Sequence, residues 1–264
     1  MTTTWRIVEQ TGEVDSFPEL SGPLGSKSKA TSQHVVCPEF VFRNDERDKL
    51  RLLKYLWPVD FSAGFEKVRA AHRTQFPKRP AISMREWVKF NGMLLGATQF
   101  TQRGRALWRD TSSSLRGHPD FGQYMGENRF ESIKKVANYC FADSTKSASD
   151  PWWPIRGGVD GFNENRKRTV KRTRAICIDE SMSAYQPRST KLGGLPHLSF
   201  IKRKPRPLGT EFKSAADGVT GVMLWLEIQE GKSGMKGKAL VGALGANAAC
   251  ALRIALGVIG AAGF

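Results

Sequence analysis

The residues best suited to chemistry stand at the end of one short apolar run. Ala175-Ile176-Cys177-Ile178 leads into Asp179 and Glu180, followed by Ser181 and Met182. β-Branched residues favour strands, and carboxylates avoid interiors unless they are paired or bound to metal. The run therefore predicts a short buried strand that delivers an acidic residue to an edge. A second feature is basic. Residues 166–174, from Arg166 to Arg174, place six cations in nine positions directly before that strand: Arg166, Lys167, Arg168, Lys171, Arg172 and Arg174. Lys202, Arg203, Lys204 and Arg206 follow it in a Pro-containing loop. Such segments can neutralise phosphates, serve as a nuclear-localisation signal, or form a solvated face.

The whole chain shares that charge. Its 264 residues carry a formal net charge of +16, which favours polyanionic partners, nucleic acid first and acidic membrane surface second. Apolar residues make up 40% of the sequence, enough for one large domain or two modest ones with real cores. The four cysteines, Cys37, Cys140, Cys177 and Cys250, are widely spaced with no C-x-x-C pair. That spacing gives no support to a zinc site or disulfide framework and predicts reduced, mostly buried thiols. Met1 to Asp15 contains no apolar stretch of the signal-peptide kind, so a cytosolic or nuclear protein is expected.

Several elements must position these residues. Residues 1–36, rich in Ser, Thr, Gly, Pro and Lys, read as a disordered basic tail. A helical lead-in domain is expected over 37–142. Its first helix runs from Asn44 to Trp57, and Pro58 ends it. The next starts at Ser83, where Ser83 and Glu86 form a capping box ahead of a mostly apolar stripe of Met84, Trp87, Val88, Asn91, Leu94 and Leu95. A third is expected from Asn128 to Phe141, capped by Asn128 and Glu131, with Phe130, Ile133, Ala137, Cys140 and Phe141 buried. Residues 143–165 read as a polar connector whose Trp152 and Trp153 could stack on bases, with packing on the helical domain the expected use. Segments Thr210–Ala216 and Val222–Gln229 flank Asp217-Gly218, a hairpin signal. The face with Val222, Leu224, Leu226 and Ile228 should pack under helices. Ala239 to Phe264 is apolar enough to raise a membrane-anchored reading, but Asn247, Arg253 and five glycines favour a buried helix over Ala239–Leu256.

Taken in order, these residues resemble piggyBac-type transposases and the proteins derived from them. The helix over 84–97 resembles an early family helix, and Asn128-Arg129-Phe130-Glu131-Ser132-Ile133 resembles a second family element. Ile178-Asp179-Glu180-Ser181-Met182 resembles the family's acidic strand. Lys204-Pro205, Leu208-Gly209, Lys213, Thr220-Gly221 and Gly231-Lys232 follow its later landmarks. The resemblance spans about residues 38–260. It implies an α+β chain: a helical N-terminal domain, then a ribonuclease-H-like (DDE transposase) domain over 166–264. It also implies that Asp179 is the first catalytic aspartate and a ligand of Mg2+ or Mn2+ in two-metal phosphodiester cleavage. DNA is the implied partner, with a homodimer and a nuclear location, and with no small-molecule substrate.

The family's second and third aspartates have no counterpart here, since no Asp or Glu follows Glu230. Glu180 should point away from Asp179, as strand neighbours do. Glu227 and Asp217 are the remaining carboxylates that could join it. The expectation is a truncated or degenerate transposase that retains DNA binding and lacks catalysis. The alternative is a non-catalytic nucleic-acid-binding protein using segments 166–174 and 202–206. A first strand without its fourth-strand neighbour would also leave an unpaired edge and a poorly covered sheet face.

Overall fold

A computed structural model of the chain describes residues 46–100, 104–108, 120–147, 149–185 and 195–260. The expected tail over 1–36, and Cys37 with it, lies outside these residues. Two compact units result, one comprising Val59–Gly158 and the other comprising Val159–Phe264 together with Met1–Pro58. Helix α1 (Glu46–Leu56) belongs to the second of these, and Pro58 follows it as anticipated.

The unit over Val59–Gly158 is helical in its described residues. Helix α2 (Phe61–Gln75) starts where Asp60 accepts the Ala63 amide at 2.7 Å. Helix α3 (Met84–Ala97) carries the capping box: Glu86 N–H donates to Ser83 Oγ at 3.2 Å, and Ser83 N–H donates to Glu86 Oε2 at 2.9 Å. The helix expected over Asn128–Phe141 is shorter. It runs as α4 (Glu127–Lys134), and a separate 3-10 turn covers Ala137–Cys140. Gly126 occupies the cap position, with no side-chain bond, so Asn128 and Glu131 do not repeat the capping box. Most of the stripe is nevertheless buried, because Phe130, Ile133 and Cys140 join Phe61, Phe65, Val68, Trp87 and Phe90 in the core, while Ala137 and Phe141 are half-buried. Trp87 stacks on Phe90 at 5.5 Å, and Phe90 meets Phe130 at 4.9 Å.

Arg129 ties that core to its loop. Its guanidinium donates to Glu86 from Nε at 2.7 Å and Nη2 at 3.0 Å, and to the carbonyls of Pro80 and Ala81. Hydrogen bonding from Arg129 holds the Glu86 carboxyl below its usual range. The 143–165 segment, read as a connector, is largely helix α5 (Trp153–Thr169). Trp152 is buried, so packing rather than base stacking is its use. Burial also pushes the Cys140 thiol up to about 12, which leaves it unreactive.

The second unit is built on an antiparallel sheet. Its strands are β1 (Ile176–Ala184), β2 (Ser199–Phe200), β3 (Leu208–Asp217) and β4 (Met223–Ile228). β3 is central. Along one side it pairs with β1, from Ile176 opposite Asp217 to Ala184 opposite Gly209. The other side takes β2 at Leu208 and Gly209, then β4 from Phe212 to Ala216. The hairpin signal was sound. Asp217 accepts from the Val219 amide, the Thr220 amide and the Thr220 hydroxyl, while Gly221 takes φ +69°, open to a residue without Cβ.

Two corrections concern exposure and helix placement. β1 is not a buried strand: Cys177, Ile178 and Asp179 are exposed. Among the described residues it pairs on one side only, with β3. A short helix α6 (Gly231–Lys236) comes first, and the C-terminal helix expected over Ala239–Leu256 is divided into α7 (Val241–Leu244) and α8 (Ala246–Ile259). Gly245, at φ +75°, separates the last two. Leu224 and Ile228 are buried as expected, but α8 is not what lies on their side. A bulge between Ala215 and Ala216 shifts the β4 register, and α8 packs on the side bearing Trp225, where Ala215, Cys250 and Ile254 form a small core with Ile176 and Val258. Contact is close: a Cβ on Gly257 would lie 2.6 Å from the Trp225 ring. No described helix is long and apolar enough to cross a membrane.

Candidate nucleic-acid interface and the Asp179 strand

Asp179 is the fourth residue of the nine in β1, mid-strand rather than at its end. Its partners across the sheet are Ser214 and Leu226, and those of Glu180 are Lys213 and Glu227. Directly opposed residues share a face, and neighbours along a strand do not. Asp179 therefore looks out from one face while Glu180 and Glu227 occupy the other. Pairing Asp179 with Glu227 as ligands is ruled out by this register. Asp179 Oδ1 accepts the Glu180 amide at 2.7 Å, and Ser214 Oγ donates to the Asp179 carbonyl at 3.2 Å.

The other carboxylates already have work. Glu227 takes Arg253 through Nη2 at 2.6 Å and Nε at 3.2 Å, and Lys238 at 3.5 Å. Asp217 is only 1% exposed and also accepts the Thr173 amide at 2.6 Å. Burial pushes its carboxyl up, but the hydrogen bonds from Thr173 and Thr220 outweigh that and hold it below the usual range. Glu180 pairs with Arg203 and with Lys213 at 3.5 Å, and Lys204 Nζ donates to the Glu180 carbonyl at 3.1 Å. These partners, Arg253, Lys238 and Lys213, were missed from sequence. Period-two reading of β3 would have found Lys213, whereas Arg253 and Lys238 depend on where the helices fold back.

The basic residues divide into two groups. Arg166, Lys167 and Arg168 form the last turn of α5, where cations complement the helix dipole. Lys171, Arg172 and Arg174 lie in the irregular link from α5 to β1. Lys202, Arg203 and Lys204 stand in the turn between β2 and β3, closed by the Ile201 amide donating to Pro207 at 2.8 Å. Two of these three are drawn onto β1 through Glu180. Several of the cations are engaged: Lys167 with Glu164 at 2.7 Å, Arg168 over the Tyr55 ring at 5.7 Å, and Arg166 over Phe162 at 4.7 Å. Lys171, Arg174 and Lys202 are exposed.

The comparisons bear on this arrangement. The family described as Transposase IS4 matches residues 71–254, which is more than half of the chain and includes the acidic strand and the whole sheet. The chain belongs to the IS4/piggyBac-type transposase family. A solved structure of similar fold is a piggyBac transposase synaptic complex with hairpin DNA, determined by cryo-EM. It aligns with a TM-score of 0.59 at 18% identity, over 80% of this chain and 44% of that one. The chain thus spans less than half the length of the transposase it matches. No curated protein sequence matches it significantly. The fold is a mixed one of helices and antiparallel sheet, like that of the piggyBac transposase.

Proposed function

We propose that this transposase-family chain holds DNA through its basic segments and presents Asp179 as the first carboxylate of a ribonuclease-H-like core. The observation that carries the reading is the register of the sheet. The β1–β3–β4 register leaves Asp179 of the family's strand exposed on one face, while the next residue, Glu180, anchors a basic turn to the same strand through its side chain on the other face and its carbonyl. Lys171, Arg172, Arg174 and Lys202 are the phosphate contacts on this reading, with Lys167, Arg168, Arg203 and Lys204 as flanking charge. The family match and the likeness to a DNA-bound transposase support DNA as the partner.

Cleavage is a separate matter. DDE chemistry uses divalent ions, Mg2+ or Mn2+, held by converging oxygens. The described donors do not fit such a centre. Asp179 has only Ser214 and Leu226 across from it, and no three His, Cys, Asp or Glu residues come together among the described residues. We therefore assign these residues to DNA binding without strand cleavage. A nuclear location and a homodimer belong to the same proposal.

Duplex DNA carrying family-type terminal repeats tests both halves. Binding should weaken steeply as salt rises, and binding indifferent to salt would remove phosphate contact as its basis. Incubation with Mg2+ or Mn2+ should give no cleavage above background. Cleavage that Asp179→Ala abolishes would overturn the non-cleaving assignment.

A further inference from the structure

Among the described residues the most exposed large apolar side chain is Phe200, at 67%, the last residue of β2. A lone exposed apolar group needs no explanation by itself. What sets Phe200 apart is its setting. The turn that follows it exposes Lys202, Arg203 and Arg206. From Ser181 to Thr210 the sequence holds six cations and no carboxylate. A flat apolar ring amid such charge suits a polyanion with flat apolar faces of its own, which is what a nucleic-acid strand offers.

The turn is also fixed in place. Ile201 N–H donates to the Pro207 carbonyl at 2.8 Å, and Lys204 N–H donates to the Ile201 carbonyl at 3.0 Å. Arg203 pairs with Glu180, and Lys204 Nζ donates to the Glu180 carbonyl. A ring next to a fixed turn gives up little freedom on binding. Register sets the face on which that ring stands. Phe200 lies opposite Leu208, and Leu208, Thr210, Phe212 and Ser214 alternate onto one face of β3. Thr210 lies opposite Ser183 and Ser214 opposite Asp179, so Phe200, Ser183 and Asp179 share that face. All three are exposed. The rungs of Phe200 and Asp179 are six positions of β3 apart, about 20 Å of strand.

We propose that Phe200 is a stacking platform for an unpaired DNA base, with Lys202 on the adjacent phosphate, which puts a single strand leaving it on the Asp179 face. The bases of a closed duplex stack on one another and offer no free face, whereas every unpaired base has one. The platform therefore selects single-stranded or distorted DNA over intact duplex. It deepens the DNA-binding reading above and rests on it.

The full chain is titrated, by fluorescence anisotropy, with a labelled single-stranded oligonucleotide and with the same oligonucleotide closed into a duplex. Phe200→Ala should bind the single strand about tenfold more weakly than the wild type, within the range of one lost base stack. Its affinity for the duplex should be unchanged, and so should its salt slope on the single strand, because no charge is removed. Phe200→Trp restores a ring and should bind at least as tightly as the wild type. Phe200→Leu, apolar without a ring, should behave as Phe200→Ala does. Equal single-strand affinity in the wild type and Phe200→Ala would overturn the platform. So would an equal loss on both DNAs, the mark of a displaced turn, or a Phe200→Trp variant as weak as Phe200→Ala. A wild type that binds duplex and no single strand overturns the platform and leaves the DNA-binding reading standing. A wild type that binds neither DNA removes both.

Discussion

Asp217 and Asp179 show how differently one residue type is used within the same sheet. Asp217 is buried and receives donors from Thr173, Val219 and Thr220, joining the hairpin turn to the segment that enters β1. Because its folded pKa is depressed, the stability it contributes is present above the unfolded value of about 4 and drains away as pH falls through the folded one. Asp217→Asn replaces an acceptor by an amide donor that faces other donors. It should cost about 2 kcal/mol at neutral pH and reduce the loss of stability on acidification, measured by denaturant titration at pH 7 and pH 3. Asp179→Asn, by contrast, alters an exposed side chain and should move stability by less than about 0.5 kcal/mol. At this scale the sequence was partly legible. The DG hairpin signal located Asp217 in a turn, but its role as a joint depends on Thr173, 44 positions away in sequence. Local patterns cannot encode such a bond.

The elements of the sheet unit are held at two places that spacing alone does not reveal. Asn163 on α5 donates to the Leu226 carbonyl and accepts its amide, each at 2.8 Å, so a side chain does for the outer edge of β4 what another strand would do. Asn163→Ala leaves both backbone groups without that partner and should destabilise the unit by about 1–3 kcal/mol, with faster amide exchange at Leu226. Gly257 is the second place. Gly257→Ala forces α8 away from the Trp225 ring and should cost about 1–3 kcal/mol, with a shift in tryptophan emission. The helix period did identify α3 and its capping box, because Ser83 and Glu86 act within one turn, but the buried face is Trp87, Phe90, Asn91 and Met93, and the expected Leu94 and Leu95 are exposed. It failed for α4, where the apolar stripe continues through Val136 and Cys140 while the backbone leaves helical geometry after Lys134. A stripe records burial, and burial survives a break. The apolar face of β4 was legible, since Leu224 and Ile228 are buried as alternation predicts, but the packing of α8 on the opposite, Trp225-bearing face was not.

For the whole molecule, charge is the property most easily read and most easily overvalued. A net charge of +16 and nine nominated cations suggest a steep salt dependence. The structure reduces the number available. Arg166 is partly buried over Phe162, Lys167 is paired with Glu164, Arg168 lies over the Tyr55 ring, Arg203 is paired with Glu180, and Lys204 donates to the Glu180 carbonyl. Some four contacts remain, so the logarithm of DNA affinity against the logarithm of salt should have a slope of about −4, and not the −8 that nine contacts would give. A slope near −8, measured by fluorescence anisotropy, would show that the engaged cations exchange their partners for phosphate. Family membership was legible because its landmarks sit where the fold is constrained. Gly209 is one: a Cβ there would collide with the Ser183 carbonyl.

β1 has one further consequence. It is nine residues long, Ile178 is 40% exposed, and among the described residues only β3 lies beside it. Apart from those of Glu180, which Asp179 and Lys204 already engage, its outer backbone groups can be met by an extended segment, including the same strand of another copy. Whatever normally covers that side must compete with self-recruitment, and the rivalry grows with the number of molecules present. Scarcity then acts as a chaperone: kept dilute, the sheet stays discrete, whereas crowding favours a ribbon of stacked copies whose growth would be seeded at Ile176–Ala184.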